Sequence, residues 1–506
     1  MKGKNTRLSL QREILTWLSL FLFLGTLSRG TALQDPPPPP SDTEMDTASD
    51  GLPSQSPAPS SQDATPDLYN GDAPIPTPAP NIYQPVPQGL PAAEIQPPLP
   101  DSPSTQLAAA EVPLPTNPVF LDAPTYQYDM AGVQSVLFTG QGINDFALRP
   151  VYLTGNWSVK FHLAIDTVND GNIFLRQQNV QSDFITRIAP GVTMRLGNTE
   201  SMFYLVADYT AGFNIYDKNP SRSTVDNNFW TNFQWNLNKT TITVRASVFE
   251  DTGQDVEVTD LVQRELYDVN AMAHYQFSDK TSFDTGVEYN RYDFNGLISS
   301  SQVDGQFYVN YNYSPKTQIG AGTTMGYLVV PAGSDQTFEQ ANLRVASNVS
   351  GKVSLIGQAG IEFRQYGQGQ GDTLTPVFGI EAAWDIREGT KLDVSLQRAL
   401  FASAILQGQD YAATSVAATI TQRVTDRVQV SLGAGYVNTD YQAAASGVSA
   451  SRVDNYFFIQ PSVQWQALTW LSVNVFYQYS QDFSHGGIGV NSFRRDAGGI
   501  DFAFNF

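Results

Sequence analysis

From about residue 155 to Phe506 the chain is one long series of segments, each about ten to fifteen residues, that alternate apolar and polar side chains. Trp157, Val159, Phe161, Leu163 and Ile165 fall on one face of the first, with Lys160, His162 and Asp166 on the other. Val428, Val430, Leu432, Ala434 and Tyr436 oppose Gln429, Ser431, Gly433 and Gly435. A soluble sandwich stops after about seven to ten such strands. Here about eighteen follow one another without a convincing helix. The polar set carries too much Asn, Gln, Ser, Gly and charge to be a core, so the apolar set must face lipid. That combination specifies an all-β chain: a transmembrane antiparallel up-and-down β-barrel.

Punctuation supports the count. Short polar turns recur at 197–200, 238–240, 278–281, 314–317, 350–352, 387–390, 425–427 and 467–469. Longer Gly-, Asn-, Gln- and Ser-rich connections lie between them, for example 367–372 and 443–451. Eight turns alternating with nine loops give about eighteen strands with both chain ends on the short-turn side, the periplasmic side of such barrels.

What precedes the barrel divides in three. Residues 1–32 place Lys2, Lys4, Arg7 and Arg12 before the apolar run 14–24 and end in small residues, the pattern of a secretory signal peptide. Residues 33–118 are rich in Pro, Ala, Ser and Asp and bury too little apolar surface to fold, which predicts a disordered, acidic, proline-rich periplasmic segment. Residues 119–154 regain Phe120, Tyr126 and Phe138 and are expected to be partly ordered against the barrel, which occupies 155–506. Between Arg29 and Arg149 there are fourteen Asp and Glu and no Lys or Arg, so most of the formal charge of −20 belongs to this tail. No basic patch invites nucleic acid. The absence of cysteine excludes disulfides and thiolate metal sites.

Aromatic residues gather beside the short turns. Trp235, Tyr275, Trp384, Trp465 and Trp470 are expected to form the periplasmic aromatic girdle, where amphipathic rings meet headgroups. The opposite parity assigns Arg187, Arg195, Asp208, Arg245, His274, Glu288, Arg344, Glu362 and Glu381 to the lumen. A wall carrying both signs would orient water and dipolar solutes.

The first long loop carries Asn169-Asp170-Gly171-Asn172-Ile173-Phe174, followed by Ser182-Asp183-Phe184-Ile185 and Pro190-Gly191-Val192. These stretches resemble the β-barrel porin 2 family, with Thr167-Val168 where that family often has an aromatic residue. The terminal row Ile500, Phe502, Phe504, Phe506 similarly resembles the signal read by the outer-membrane assembly machinery, which makes Phe506 the candidate sorting residue. The resemblance implies a bacterial outer-membrane barrel, and for some members an association with exopolysaccharide export.

The functional expectation is an outer-membrane pore or conduit for small polar solutes or a polysaccharide, with lipid and the assembly machinery as partners and no cofactor. The competing reading is a filled barrel that anchors the acidic tail as a structural or interaction protein. Catalysis is the third reading. His162, His274 and His485 are the only histidines, and neither Gly-x-Ser-x-Gly nor His-Glu-x-x-His occurs. Within the loop motif, Asp170 and Asn172 around Gly171 are expected to lock Ile173 and Phe174 against the inner wall. A cation site from Asp166, Asp170 and Asp183 is the alternative there.

Overall fold

The structure, a computed structural model, describes residues 151–152 and 157–505 apart from residues 199, 332, 368–370 and 488–491. The expected signal segment, the proline-rich segment, nearly all of 119–154 and Phe506 lie outside the described residues.

Alternating sequence becomes antiparallel ladder throughout. After a two-residue strand β1 (Val151–Tyr152) come β2 (Trp157–Asp170), β3 (Asp183–Leu196), β4 (Phe203–Tyr216), β5 (Thr224–Asn236), β6 (Thr240–Asp255) and β7 (Asp260–Gln276). They continue as β8 (Thr281–Phe294), β9 (Ser300–Ser314), β10 (Thr317–Val329), β11 (Gln336–Ser350), β12 (Val353–Tyr366) and β13 (Thr373–Arg387). The series ends with β14 (Thr390–Ala402), β15 (Gln409–Thr425), β16 (Val428–Ala443), β17 (Val453–Leu468), β18 (Leu471–His485) and β19 (Phe493–Asn505). Each strand from β2 pairs with the next, and β19 returns to β2 from Ala497↔Asp170 to Asn505↔His162. The eighteen strands β2 to β19 thus form a closed barrel, the fold that the resemblance implies. β1 pairs with Ser158 and Val159, occupying the edge of β2 that β19 leaves uncovered.

Closure follows from solvent. In hydrocarbon an unpaired backbone N–H or C=O costs several kcal/mol, so a spanning sheet must have no edge. Exposed Val, Leu, Ile, Phe and Met on the outer face, such as Phe161, Val287, Leu343, Ile361 and Ile459, form the lipid-facing band.

Inside, bulk is accommodated by glycine. On β10, Gly320, Gly322 and Gly326 stand opposite Arg344, Asn342 and Phe338 on β11. A Cβ on Gly322 would come within 2.3 Å of both the Tyr308 ring and the Phe307 carbonyl oxygen.

One hairpin leaves the barrel wall, and a second loses one neighbour. β6 and β7 pair with each other as far as Asp255↔Asp260. Their outer partners stop earlier, at Asn227↔Glu250 on one side and Arg264↔Phe294 on the other. In the ladder, residues 252–263 therefore pair only with one another and form a hairpin tip, bonded to the β8 side where the Asn295 N–H donates to the Gln263 carbonyl at 3.0 Å. At β14–β15 only one neighbour is lost: β13 releases β14 at Phe378↔Arg398, while β15 stays paired with β14 to Ala402↔Asp410 and with β16 to Gln409↔Ala443.

Candidate functional site: loop tips above a charged vestibule

The free β6–β7 tip crosses the lumen to meet the β14–β15 connection. The β6–β7 tip reaches β2 through Gln254, whose Nε2 donates to Asp170 Oδ2 (3.0 Å) and to the Asn172 carbonyl (3.1 Å). It reaches the β14–β15 tip through Glu257, whose carboxyl binds the Ser403 hydroxyl and accepts from the Ala404 N–H at 3.2 Å. Arg452, just before β17, donates to the Glu257 carbonyl oxygen at 3.1 Å. The β14–β15 tip is held from two further directions. Ile298, in the β8–β9 loop, donates its N–H to the Ala404 carbonyl at 2.9 Å. Asp410 accepts from Gln336 on β11 at 3.0 Å and pairs with Arg364 on β12 at 3.6 Å.

Apolar packing joins the same elements. Leu175 from the β2–β3 loop and Val256 from the β6–β7 tip cluster with Ala413, Val437, Tyr456 and Phe493 on β15, β16, β17 and β19. Contacts between strands this far apart around the barrel can form only across its interior. Together the tips make a septum over the loop-side half of the lumen.

The loop motif anchors it. Arg495 on β19 donates to Asp170 Oδ2 through Nε at 2.9 Å, and the Asn172 N–H caps Asp170 Oδ1 at 2.8 Å. Asn172 closes the loop by donating to the Arg176 and Arg494 carbonyls at 2.8 and 2.9 Å. Gly171 lies against β19: its N–H donates to the Asp496 carbonyl at 2.8 Å, and a Cβ there would sit 3.0 Å from that oxygen. Ile173 and Phe174 are buried, with Arg176 and Arg222 over the Phe174 ring at 4.8 and 5.3 Å. The three carboxylates weighed as a cation site are engaged separately. Asp166 pairs with Arg187 (3.8 Å), Asp170 with Arg495 (2.8 Å), and Asp183 accepts from Lys218 and Asn219 (2.9 and 3.0 Å).

Behind the β6–β7 tip lies a cavity of about 80 Å³ whose lining includes Asp170, Arg187, Asp226, Asp251, Arg264 and Arg495. Arg264 grips Asp251 at 2.7 Å, so this wall is an alternating lattice of charge.

The residues assigned to the lumen fall on strand positions that alternate with the lipid-facing set. Arg187 is buried beside Asp166. Asp208 accepts from Thr193 at 2.6 Å and is bonded to His162 at 3.0 Å. His274 meets Asp284 at 2.6 Å. Arg344 also binds Asp284, and stacks over Tyr308 at 3.9 Å. Glu288 accepts from Asn270 and Asn290 (3.0 and 2.6 Å), and Glu362 from Gln340 and Arg364 (2.7 and 2.6 Å). Toward the short turns enclosure falls: Arg245 and Glu381 are half-buried and Arg195 is exposed. There Lys391 and Asp393 form a pair with side chains 52% and 44% accessible. The short-turn half is thus an accessible, mixed-charge vestibule.

Tyr275, Trp384, Trp465 and Trp470 are exposed beside short turns. Trp235 stacks on Phe203 at 5.8 Å in the same band. A second girdle, not singled out from sequence, rims the loop end. Tyr209, Tyr267, Tyr327, Tyr436 and Tyr477 donate their hydroxyls to Asn227, Glu265, Asp335, Asn455 and Asp496. Trp465 and Asn455 are ten residues apart on β17. At the rise and tilt of barrel strands this is roughly 25 Å of height, the thickness of an outer-membrane apolar band.

Ser484 is buried against Asp454, whereas the next residue, His485, is exposed on the opposite face of β18. These two neighbours in sequence do not form a dyad.

The chain matches no protein-family model and no curated protein. Among solved structures it is similar to the outer membrane protein opdK from Pseudomonas aeruginosa, at 10% identity over 69% of this chain and 99% of that one, TM-score 0.39. It is likewise similar to Acinetobacter baumannii OccAB4 (11%, covering 70% and 99%, TM-score 0.39) and to Pseudomonas aeruginosa OpdO (12%, covering 69% and 97%, TM-score 0.39). Identities and TM-scores this low assign neither family nor function.

Proposed function

We propose that this chain is an outer-membrane channel whose passage is set by the in-folded loop tips, with the short-turn vestibule as its periplasmic entrance. The observation that carries this reading is the accessible Lys391–Asp393 pair beneath a septum whose charges are buried. A barrel filled for stability alone has no need of a hydrated charged chamber. The lipid-facing band between two aromatic girdles supports an outer-membrane location. Both β2 and β19 meet the short-turn side, which supports a periplasmic tail. Insertion would then require the assembly machinery, with membrane lipid around the wall.

Small polar solutes suit the mixed-charge wall, in which Arg187, Arg264, Arg344, Arg364, Arg452 and Arg495 each face a carboxylate. Saccharides are the finer reading, supported by the Tyr308, Asn310 and Asn342 surface and by the family resemblance; with it comes a place in exopolysaccharide export. The septum itself favours the alternative, a filled barrel that anchors its tail. Single-channel recording of the refolded chain in planar bilayers separates them. Current steps that polar solutes reduce support the channel, and silence in every condition supports the anchor.

A further inference from the structure

The inner face of β5 carries an aromatic residue that neither lipid nor core packing accounts for. Trp230 is the seventh of the thirteen residues of this strand, midway between its loop end and its short turn. It pairs with Asp208 on β4 and with Ser247 on β6. Asp208 belongs to the inner network with His162 and Thr193, and Asp226, four residues before Trp230, lines the interior cavity. The indole is therefore on the lumen side. Phe229, Phe233 and Trp235, the lipid-facing aromatic residues of the same strand, have the opposite parity. Other large inner-face rings, such as Tyr308, Phe338 and Tyr456, are buried, whereas Trp230 is 37% exposed. Among the described residues it makes no ring stack and no hydrogen bond. An indole left bare to the passage forgoes the burial that ordinarily makes it stabilising.

We propose that Trp230 is a stacking platform for saccharides: one indole face receives the C–H face of a pyranose ring at the middle of the lumen. The traffic it serves rests on the channel reading above, whereas binding itself needs no current. The surroundings select this ligand. Asn228 and Asn232 flank the ring on β5, Arg245 and Ser247 lie beside it on β6, Asp208 on β4, and Asp268 follows Ser247 on β7. A pyranose has an apolar face and a rim of hydroxyls that donate and accept, so it meets ring and rim at once. A wholly apolar solute would desolvate these amides and charges without compensation. An organic cation would suit the ring, but Arg245 in the adjacent pair repels it. Asn232 Oδ1 has no partner among the described residues, and a sugar hydroxyl is the donor that completes it.

Trp230 lies four residues nearer the short turns than Asp226, on the vestibule side of the cavity behind the β6–β7 tip. A saccharide entering from the vestibule therefore reaches the ring before it reaches the tip. Stacking reads the ring of the sugar rather than particular hydroxyls. The platform accepts pyranoses in several linkages and ignores acyclic polyols, which have no flat C–H face.

The test is calorimetric titration of the full chain in detergent with maltohexaose, cellohexaose and isomaltohexaose, with mannitol as the acyclic control. Heat-modifiable gel mobility confirms that each variant is a folded barrel. At least one hexasaccharide should bind, and mannitol should not. Trp230→Ala should weaken that binding about tenfold, the scale of losing one stacked ring. Trp230→Phe should keep most of it. Ile356→Ala removes another exposed apolar side chain of the inner face, one paired with Glu381, and should leave binding unchanged. Single-channel recording of the same proteins separates the two readings. Current without hexasaccharide binding, or binding that Trp230→Ala leaves intact, overturns the platform while the channel stands. Binding that Trp230→Ala abolishes in a barrel that never conducts supports the platform and overturns the channel. If no hexasaccharide binds and no current flows, both fail.

Discussion

Arg495 on the last strand clamps Asp170 at the end of the first, with Nη2 2.8 Å from Oδ2 and both side chains nearly inaccessible. The pair spans the seam where the barrel closes. The same Oδ2 also accepts from Gln254, so closure of the wall and seating of the in-folded tip share one atom. Removing one partner of a buried pair leaves the other charge stranded, which costs about 3–5 kcal/mol. Arg495→Met is expected to lose about that much unfolding stability in detergent and to make residues 173–181 cleavable by protease. Asp170→Asn combined with Arg495→Met should recover part of the loss. Guanidinium titration followed by tryptophan fluorescence reads both.

The lipid face is testable within one strand. Ile459 on β17 is 42% exposed on the outside, and Gln460 beside it points inward, where it accepts from Gln478. Both lie near half-height between the girdles. Ile459→Arg is expected to cost about 2–4 kcal/mol and to lower assembly in the membrane. Gln460→Arg should cost under about 1 kcal/mol. Equal penalties for the two would contradict the inside–outside assignment.

Interior glycines should differ by neighbour rather than by strand. Gly322→Ala drives a Cβ against the Phe307 backbone as well as the Tyr308 ring, and is expected to cost about 1–3 kcal/mol. Gly379→Ala on β13 meets nothing within 4 Å and should be neutral or slightly stabilising. The same denaturant titration distinguishes them.

The girdle predicts a graded result. Trp465 sits at the headgroup level, where a charge costs about 0–1 kcal/mol, less than at the midplane. Trp465→Arg should therefore slow insertion less than Ile459→Arg, measured as the fraction of heat-modifiable barrel after refolding into liposomes.

The barrel was legible in the sequence because its two signals are local. Period-two alternation sets which face of β2 or β16 meets lipid, and turns such as 314–317 and 350–352 mark where one strand ends. Parity alone places Arg187, Asp208 and Arg344 on the inner face. It does not place Asp170 against Arg495, since that contact joins residues 325 apart. The septum was also hidden, for a physical reason. Residues 252–263 continue β6 and β7 without a break, and what frees them from the wall is the loss of neighbours on β5 and β8, a property of register. One local signal was present: β6 and β7, at 16 and 17 residues, exceed most other strands, and Gly253 lies where they leave the wall. The loop-side tyrosine girdle was overlooked because its residues sit at ordinary strand positions. Polar partners such as Asn227, Asn455 and Asp496 lie on neighbouring strands.

The account stands most directly on the single-channel conductance of the chain with residues 252–263 replaced by a two-residue turn, compared with the unmodified chain under the same voltage and salt. Those residues form no ladder with their neighbours, so the shortened barrel should fold and show larger, steadier current steps. Unchanged conductance in a folded, inserted barrel would contradict a septum that sets passage through the lumen.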